Sequence, residues 1–308
     1  MRDPDMNDTK VLGRTGIRIP VIGLGAWDYH AGPGPLRRGL EAGALFVDTA
    51  ESYGTEATVG QAIQGIRDRV FVATKVSPQN FRPADLKRSV DRSLLHLGVD
   101  AIDLMQLHQP NPDIPIAETM GALSECVDAG KVRYVGVSNF AVPQLEEALR
   151  AAGRNPIVSN QVRYSLIDRT IEQDILPFCR ANGITVIAYS PLGRMFQRIL
   201  DCDPGGCISQ IAARTSKSPA QVVLNWCISQ EGVVAIPKGN SEAHILDNCA
   251  AAGWRLSAED VELLNTKIQF RRRGRLDQLV RRYMPASMRN LAVQALGLMP
   301  RGIRRRMS

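Results

Sequence analysis

Val70-Phe-Val-Ala-Thr74, Pro83-Ala-Asp-Leu-Lys-Arg-Ser-Val-Asp-Arg-Ser-Leu-Leu-His-Leu97-Gly98 and Asp103-Leu-Met-Gln-Leu107 follow one another along the chain, and their order decides the fold. The first and last are short apolar runs of strand length. In the middle piece Leu86, Val90, Leu94 and Leu97 share one helical face, Pro83 suits the first turn and Gly98 the C-terminal stop. Strand, helix, strand in this order implies parallel pairing through a crossover helix. Outward from this unit the strand signal returns at Val21 to Gly25, Leu45 to Asp48, Tyr134 to Val137, Val158 to Val162, Thr185 to Ala188 and Val233 to Ile236, eight runs in all. Helical segments run from Ile116 to a stop at Gly130, from Pro143 to Gly153 and from about Thr170 to Gly183. Ser218-Pro219 and Ser257-Ala-Glu-Asp260 read as further helix starts, the second close to a capping box. Eight strand and helix units are the number that closes an α/β (β/α)8 TIM barrel, with a doubly wound open sheet as the competing architecture. Lys10-Val-Leu-Gly13-Arg-Thr-Gly16-Ile-Arg-Ile19 reads as an N-terminal β-hairpin able to plug the bottom of a barrel. The repeat stops after Lys267, so residues 1–270 are expected to form the barrel and 271–308 a C-terminal extension.

With 308 residues, 44% hydrophobic and 22% charged, the chain has the composition of an ordinary globular protein, neither disordered nor collagen-like. No apolar run reaches the length of a membrane-spanning helix, and Asp3, Asp5 and Asp8 precede any apolar stretch, unlike a secretory signal; the expected address is cytoplasmic. Six cysteines contain no Cys-x-x-Cys pair, which favours structural thiols over a metal site or a disulfide net. The net charge of +7 is unevenly placed. Residues 271–308 hold eleven arginines against the single acid Asp277, a local +10, so residues 1–270 carry +7 less +10, or −3. A mildly acidic body argues against nucleic acid as a partner.

In a parallel barrel, chemistry sits at the C-terminal strand ends. Trp27, Asp48 to Tyr53, Lys75, His108, Ser138-Asn139, Gln161, Tyr189-Ser190 and Lys238 stand there. Asp48, Tyr53, Lys75 and His108 fall on neighbouring strand ends and can form one cluster. An ammonium beside a phenol favours the phenolate, so Lys75 is expected to lower the Tyr53 pKa while Asp48 holds Lys75 charged. Taken singly, each has a bland reading: Lys75 as a surface residue, Asp48 as a helix cap, His108 as a loop histidine. Their coincidence at consecutive strand ends is what points to catalysis.

Gly43-Ala-Leu-Phe-Val-Asp48-Thr-Ala-Glu-Ser-Tyr53-Gly54, Val72-Ala-Thr-Lys75 and Asp103-Leu-Met-Gln-Leu-His108-Gln-Pro110 resemble the aldo-keto reductase family. The likeness continues through Gly136-Val-Ser-Asn-Phe140, Asn160-Gln161, Ala188-Tyr-Ser-Pro-Leu-Gly193 and Ile236-Pro-Lys238, covering about residues 10–268. The resemblance implies a (β/α)8 barrel that reduces an aldehyde or ketone with NAD(P)H and without a metal. It implies Tyr53 as general acid, Lys75 and Asp48 as its charged neighbours, and His108 as the residue that orients the carbonyl. It further implies cofactor contacts from Gly25, Ala26, Ser138, Asn139, Gln161, Tyr189, Ser190, Leu192 and Gly193, with Tyr189 stacking on the nicotinamide. The segment Lys238-Gly239-Asn240 through His244 to Asn248 resembles the family's adenosine-phosphate segment, where a strand end meets a helix N-terminus. A familiar version has Arg in place of His244, and a neutral imidazole offers less to a 2′-phosphate. NADPH is therefore the expected cofactor, on the strength of Lys238, with NADH as the alternative. By contrast, Gly23-Leu-Gly25-Ala26-Trp27-Asp28 lacks the third glycine of a Rossmann fingerprint.

Trp27 and Tyr29, with His30 and Phe81, are expected to line the substrate pocket, and Arg194 to Gly206 to form a specificity loop. The physiological substrate, beyond a small-molecule carbonyl compound, is not legible. Two other functions compete with the reductase: a cofactor-binding sensor or docking barrel with little turnover, and a Schiff-base aldolase using Lys75, which needs neither Tyr53 nor His108. The arginine-rich tail alternates with Leu276, Leu279, Val280, Met288, Leu291 and Leu298. Packing on the barrel or a partner subunit is the preferred reading for it, ahead of contact with an anionic membrane surface.

Overall fold

In the computed structural model, which describes residues 8–270, the first element is a hairpin of β1 (Thr9–Val11) and β2 (Arg18–Pro20). Eight parallel strands follow: β3 (Leu24–Gly25), β4 (Phe46–Asp48), β5 (Phe71–Val76), β6 (Ile102–Leu107), β7 (Val132–Ser138), β8 (Ile157–Arg163), β9 (Thr185–Tyr189) and β10 (Val233–Ile236). Each pairs with the next in chain order, and β10 returns to the first strand through a parallel bridge between Ile22 and Ala235. That closure separates a barrel from the open doubly wound sheet. It also explains Gly25, where a Cβ would stand 2.8 Å from the Ile236 carbonyl oxygen. The two strand backbones meet too closely for any side chain.

Helices α1 (Pro33–Glu41), α2 (Glu56–Ile63), α3 (Pro83–Leu97), α4 (Ile116–Asp128), α5 (Val142–Ala151), α6 (Ile175–Asn182), α7 (Gln197–Leu200), α8 (Cys207–Thr215), α9 (Pro219–Ser229), α10 (Glu242–Cys249) and α11 (Ala258–Lys267) complete the chain order. The stop residues behave as their chemistry requires: Gly98 and Gly183 adopt left-handed conformations at the ends of α3 and α6. Ser218 and Ser257 start helices as expected, Ser257 accepting from the Asp260 amide, and two details differ from the sequence reading. The complete capping box lies at Ser218, whose side chain accepts from the Gln221 amide while Gln221 returns a bond. The segment from Thr170 is a 3₁₀ turn through Gln173, and the α-helix begins only after Asp174, which caps Ile175.

Two apolar layers result. One lies between the sheet and its helices; the other fills the barrel and contains Phe46, Ala73, Leu104, Val158, Ile187 and Val234. Leu12 and Ile19 of the hairpin belong to this inner layer and are fully buried, so the hairpin plugs the bottom. Lys10 anchors it by donating to the carbonyls of Ile228, Gln230 and Val233 at the end of α9 and the start of β10. Above the apolar plug the inward residues turn polar: Asp48, Lys75, Gln106, Ser138 and Gln161, all buried. The six cysteines are free. Among the described residues no helix is long and apolar enough to cross a membrane. The basic extension, residues 271–308, lies outside the described residues.

Candidate active site

Asp48 ends β4 and Lys75 lies near the end of β5, so parallel pairing brings their side chains together inside the barrel mouth. Lys75 Nζ donates to Asp48 Oδ1 at 2.5 Å and to the Thr49 carbonyl at 2.8 Å. The other carboxylate oxygen accepts from Gln106 Nε2 at 3.0 Å and from Gln161 Nε2 at 2.7 Å. A buried ion pair is tolerated when its remaining lone pairs are also satisfied, and here they are. Gln106, two residues before His108, was missed in the sequence; the signal was its even spacing from that residue on one strand face.

Tyr53 reaches the same place from the turn Glu51–Tyr53, which the chain holds firmly. Glu51 accepts from the Ser77 amide at 2.6 Å and from Asn80 at 2.9 Å, and pairs with Arg92 at 2.7 Å. Gly54 then turns through a left-handed conformation (φ 68°). The Tyr53 ring lies over Lys75, whose Nζ is 5.0 Å from the ring centroid, and its hydroxyl is 3.3 Å from His108 Nε2. A single oxygen atom of a bound molecule can thus meet both groups. His108 Nδ1 faces Ser52 Oγ at 3.5 Å. Burial and the nearby Lys75 ammonium push the His108 pKa down to about 4, so the ring is neutral at pH 7 and carries one N–H.

The Tyr53 phenol departs from expectation. Burial raises its pKa, outweighing the lowering by Lys75, and the Asp48 carboxylate adds to the rise. Burial is the larger effect and the Asp48 carboxylate offsets part of the ammonium's field, which is why the ammonium does not prevail.

Around this centre runs a cleft of about 760 Å³, lined by Trp27, Tyr53, His108, Asn139, Gln161, Tyr189, Ser190 to Arg194, Lys238 and His244 among others. Asn139 donates to the His108 carbonyl at 3.1 Å and to Ser138 Oγ at 3.0 Å, and accepts from the Tyr189 hydroxyl at 3.0 Å. Asn139 and Ser190 both hold left-handed backbones, at φ 63° and 52°, an uncommon cost for residues with side chains. Gln161 spends its amide hydrogens on Asp48 and Gln106, the latter at 3.3 Å, which leaves its oxygen to accept.

Four expected residues stand elsewhere. Tyr29 is not a pocket residue: its ring is buried in the outer core and its hydroxyl donates to the Gly32 carbonyl at 2.7 Å, within its own turn. Phe81 is likewise buried in that core. His30 is exposed and pairs with Asp28 at 2.9 Å. Asn248 is buried and its amide reaches the Lys238 carbonyl at 3.4 Å, bracing the strand end rather than facing the cleft. Gly25 lines the cleft; Ala26 is buried beside it with its carbonyl accepting from Thr55; Leu192 and Gly193 line the cleft; Gly239 is buried and Asn240 exposed. Lys238 is engaged by a carboxylate that the sequence reading overlooked: its Nζ lies 2.9 Å from Asp28 Oδ2 and 5.4 Å from the Trp27 ring centroid.

Residues 29–269 match the Aldo/keto reductase family. The chain belongs to this family. It is 35% identical over 262 residues to methylglyoxal reductase YeaE of Escherichia coli (strain K12), covering 81% of this chain and 91% of that one. It is 34% identical over 266 residues to glyoxal reductase of Bacillus subtilis (strain 168), covering 84% and 92%. An aldo/keto reductase from Klebsiella pneumoniae, solved in complex with NADP and acetate, superposes with a TM-score of 0.78 at 36% identity, covering 85% of this chain and 96% of that one. As an aldo-keto reductase, the chain acts on a small-molecule carbonyl or alcohol.

Proposed function

We propose that this chain reduces an aldehyde or ketone to the alcohol with NADPH, with Tyr53 as the proton donor. The observation that carries the reading is the convergence of the Tyr53 hydroxyl and His108 Nε2, 3.3 Å apart, above the buried Lys75–Asp48 pair. A carbonyl oxygen placed there accepts from the phenol and from the neutral imidazole at once. As the carbonyl carbon gains hydride, negative charge grows on that oxygen, and two fixed donors stabilise it more than they stabilise the uncharged carbonyl. Tyr53 then yields its proton and Lys75 stabilises the phenolate left behind. Asp48, Gln106 and Gln161 hold Lys75 in place.

The residues present fit a nicotinamide. The free oxygen of Gln161 and the second lone pair of Asn139 Oδ1 offer two acceptors for a carboxamide NH₂, and the Tyr189 ring faces the same cleft. When bound, the cofactor supplies the hydride. The backbone from Ser190 to Gly193 and the Lys238 ammonium suit its phosphates, and it is on Lys238 that the preference for NADPH over NADH rests. The names of the two bacterial relatives point to short 2-oxoaldehydes as substrates, and the exposed Trp27 at the cleft mouth gives such molecules an apolar wall.

The test follows oxidation of NADPH and NADH at 340 nm with methylglyoxal, glyoxal and a panel of larger carbonyls, comparing the wild type with Tyr53→Phe. Turnover should fall by about 10²-fold or more in the variant. Unchanged turnover in Tyr53→Phe would remove the phenol from the mechanism.

A further inference from the structure

We propose that Arg163 is a substrate-recognition residue, and that the preferred substrates are aldehydes or ketones carrying a carboxylate. The proposal rests on the reductase reading and sets charged carbonyls ahead of the neutral 2-oxoaldehydes that the relatives' names point to.

The position follows from an irregularity in β8. Between Val135 and Gly136 the register with β7 slips, so that Ile157 and Ser159 face consecutive residues of the partner strand and Val158 is extra. Val158 lies in the inner core, and strict alternation from it would send residues 160 and 162 into the barrel. The slip instead turns Gln161 inward, where it bonds Asp48. Arg163 lies two residues beyond Gln161 on the same face, about 7 Å further up the strand, and it lines the same cleft as Asp48, Tyr53 and His108. Its guanidinium carbon is 5.7 Å from the Tyr189 ring centroid, the strand neighbour with which it is in register.

Beyond the Tyr189 ring, no partner for Arg163 stands among the described residues. Its Nε is buried without a hydrogen-bond partner, and among the described residues no carboxylate pairs with it. A buried guanidinium N–H left unsatisfied is costly, and an acceptor brought into the cleft would relieve that cost. Among the described residues the cleft offers it no free carboxylate. Its lining includes one carboxylate, Asp48, already committed to Lys75 and two amides. Lys238 is matched by Asp28, whereas Arg194, whose guanidinium carbon lies 6.0 Å from the Trp27 ring centroid, also has no acid partner among the described residues. A site with two unmatched guanidiniums beside a neutral acid and a neutral imidazole selects an anion, and the planar fork of arginine matches a carboxylate in two bonds.

Two anions could meet Arg163: a carboxylate on the substrate, or a phosphate of the cofactor. The phosphate groups suit Ser190 to Gly193 and Lys238, which follow β9 and β10. Arg163 belongs to β8, two residues beyond the Gln161 that bonds Asp48 of the carbonyl-activating cluster, which favours the substrate.

The experiment compares 4-carboxybenzaldehyde with methyl 4-formylbenzoate, which share a rigid spacer and differ in one negative charge, in the full-length wild type, Arg163→Met and Arg163→Lys. The wild type should prefer the acid. The acid-to-ester ratio of kcat/KM should fall about 10-fold or more in Arg163→Met, through KM, with partial recovery in Arg163→Lys. A parallel titration with terephthalate, which cannot be reduced, should show the same loss of affinity by calorimetry. An equal fall on both aldehydes, or a loss confined to the dissociation constant for NADPH measured by fluorescence, overturns the proposal. If the wild type reduces neither of these aldehydes and neither methylglyoxal nor glyoxal, the reductase reading is what fails. The terephthalate titration still decides Arg163, with equal binding to wild type and Arg163→Met counting against it.

Discussion

Replacing Lys75 by methionine keeps the length of the side chain and removes its charge from a place where water has no access: Lys75 is 0% exposed and Asp48 2%. Asp48 would be left as a buried carboxylate with two amide donors, Gln106 at 3.0 Å and Gln161 at 2.7 Å, in place of an ion pair. Removing one partner of a buried pair costs about 3–5 kcal/mol, and the two remaining amides bring this case to the lower end, about 3 kcal/mol. In a domain of this size each kcal/mol moves the melting temperature by about 2–4 °C, so Lys75→Met should melt about 6–12 °C below the wild type. Asp48→Asn should cost a similar amount by stranding the ammonium. The double variant Asp48→Asn/Lys75→Met removes both charges and leaves a neutral amide among amides, so its loss should fall short of the two single losses combined by about 2–3 kcal/mol. Calorimetric melting of the four proteins closes the cycle. A Lys75→Met protein melting within 2 °C of the wild type, or strictly additive losses in the double variant, would refute the claim that the two charges depend on each other.

A second expectation concerns pH. The folded pKa of His108, about 4, lies below its ordinary 6.5, so the unfolded chain binds that proton first as pH falls. The stability contributed by the neutral ring is fully present above about pH 6.5 and is lost on the way down to about pH 4, on the order of 3 kcal/mol in all. His108→Gln should flatten urea-midpoint profiles across that window, and an unchanged slope would contradict the assignment. A third expectation follows from the contact of Asp28 with Lys238, 2.9 Å apart at the surface. Asp28→Asn should tighten NADPH relative to NADH by about twofold to fivefold, because the ammonium no longer has a carboxylate to leave. Fluorescence titration of both cofactors checks this, and an unaltered ratio would mean that Lys238 does not read the 2′-phosphate.

The barrel was legible because its signals are local. Leu86, Val90, Leu94 and Leu97 mark one helix face, and Gly98 ends it with a left-handed residue that only its own conformation requires. Eight such units leave few ways to pair. The site was legible where a side chain sits at a strand end and its direction follows from the strand alone, as with Asp48, Lys75 and His108. What escaped depended on contacts distant in sequence. Tyr29 reads as a pocket aromatic next to Trp27, yet the turn to Gly32 folds its ring into the outer core while Trp27 stays exposed. Asp28 became visible only when β3 and β10 met and Lys238 arrived beside it. Arg163 was within reach of alternation, two residues beyond Gln161 on the same face, but the apolar run ends at Val162 and only the fold carries β8 on through Arg163 to the cleft wall.

The electrostatics of Tyr53 show why the cluster must be read as a whole. Lys75 beside a phenol, taken as a pair, argues for an acidified tyrosine. Burial penalises the phenolate, Asp48 offsets part of that field, and the net shift is upward. The phenol therefore stays protonated in the resting site across the physiological range, the state a proton donor requires. The compensation is asymmetric in time. While Tyr53 is neutral, Lys75 and Asp48 satisfy each other; once the proton has left, the phenolate becomes a second anion within reach of the same ammonium. Lys75 then stabilises the product of proton transfer more than its starting state, which is differential binding of the kind that lowers a barrier. On this argument the melting cycle and the kinetics must part company: Asp48→Asn/Lys75→Met regains stability and regains no turnover, since neutralising the pair removes the charge that the developing phenolate needs.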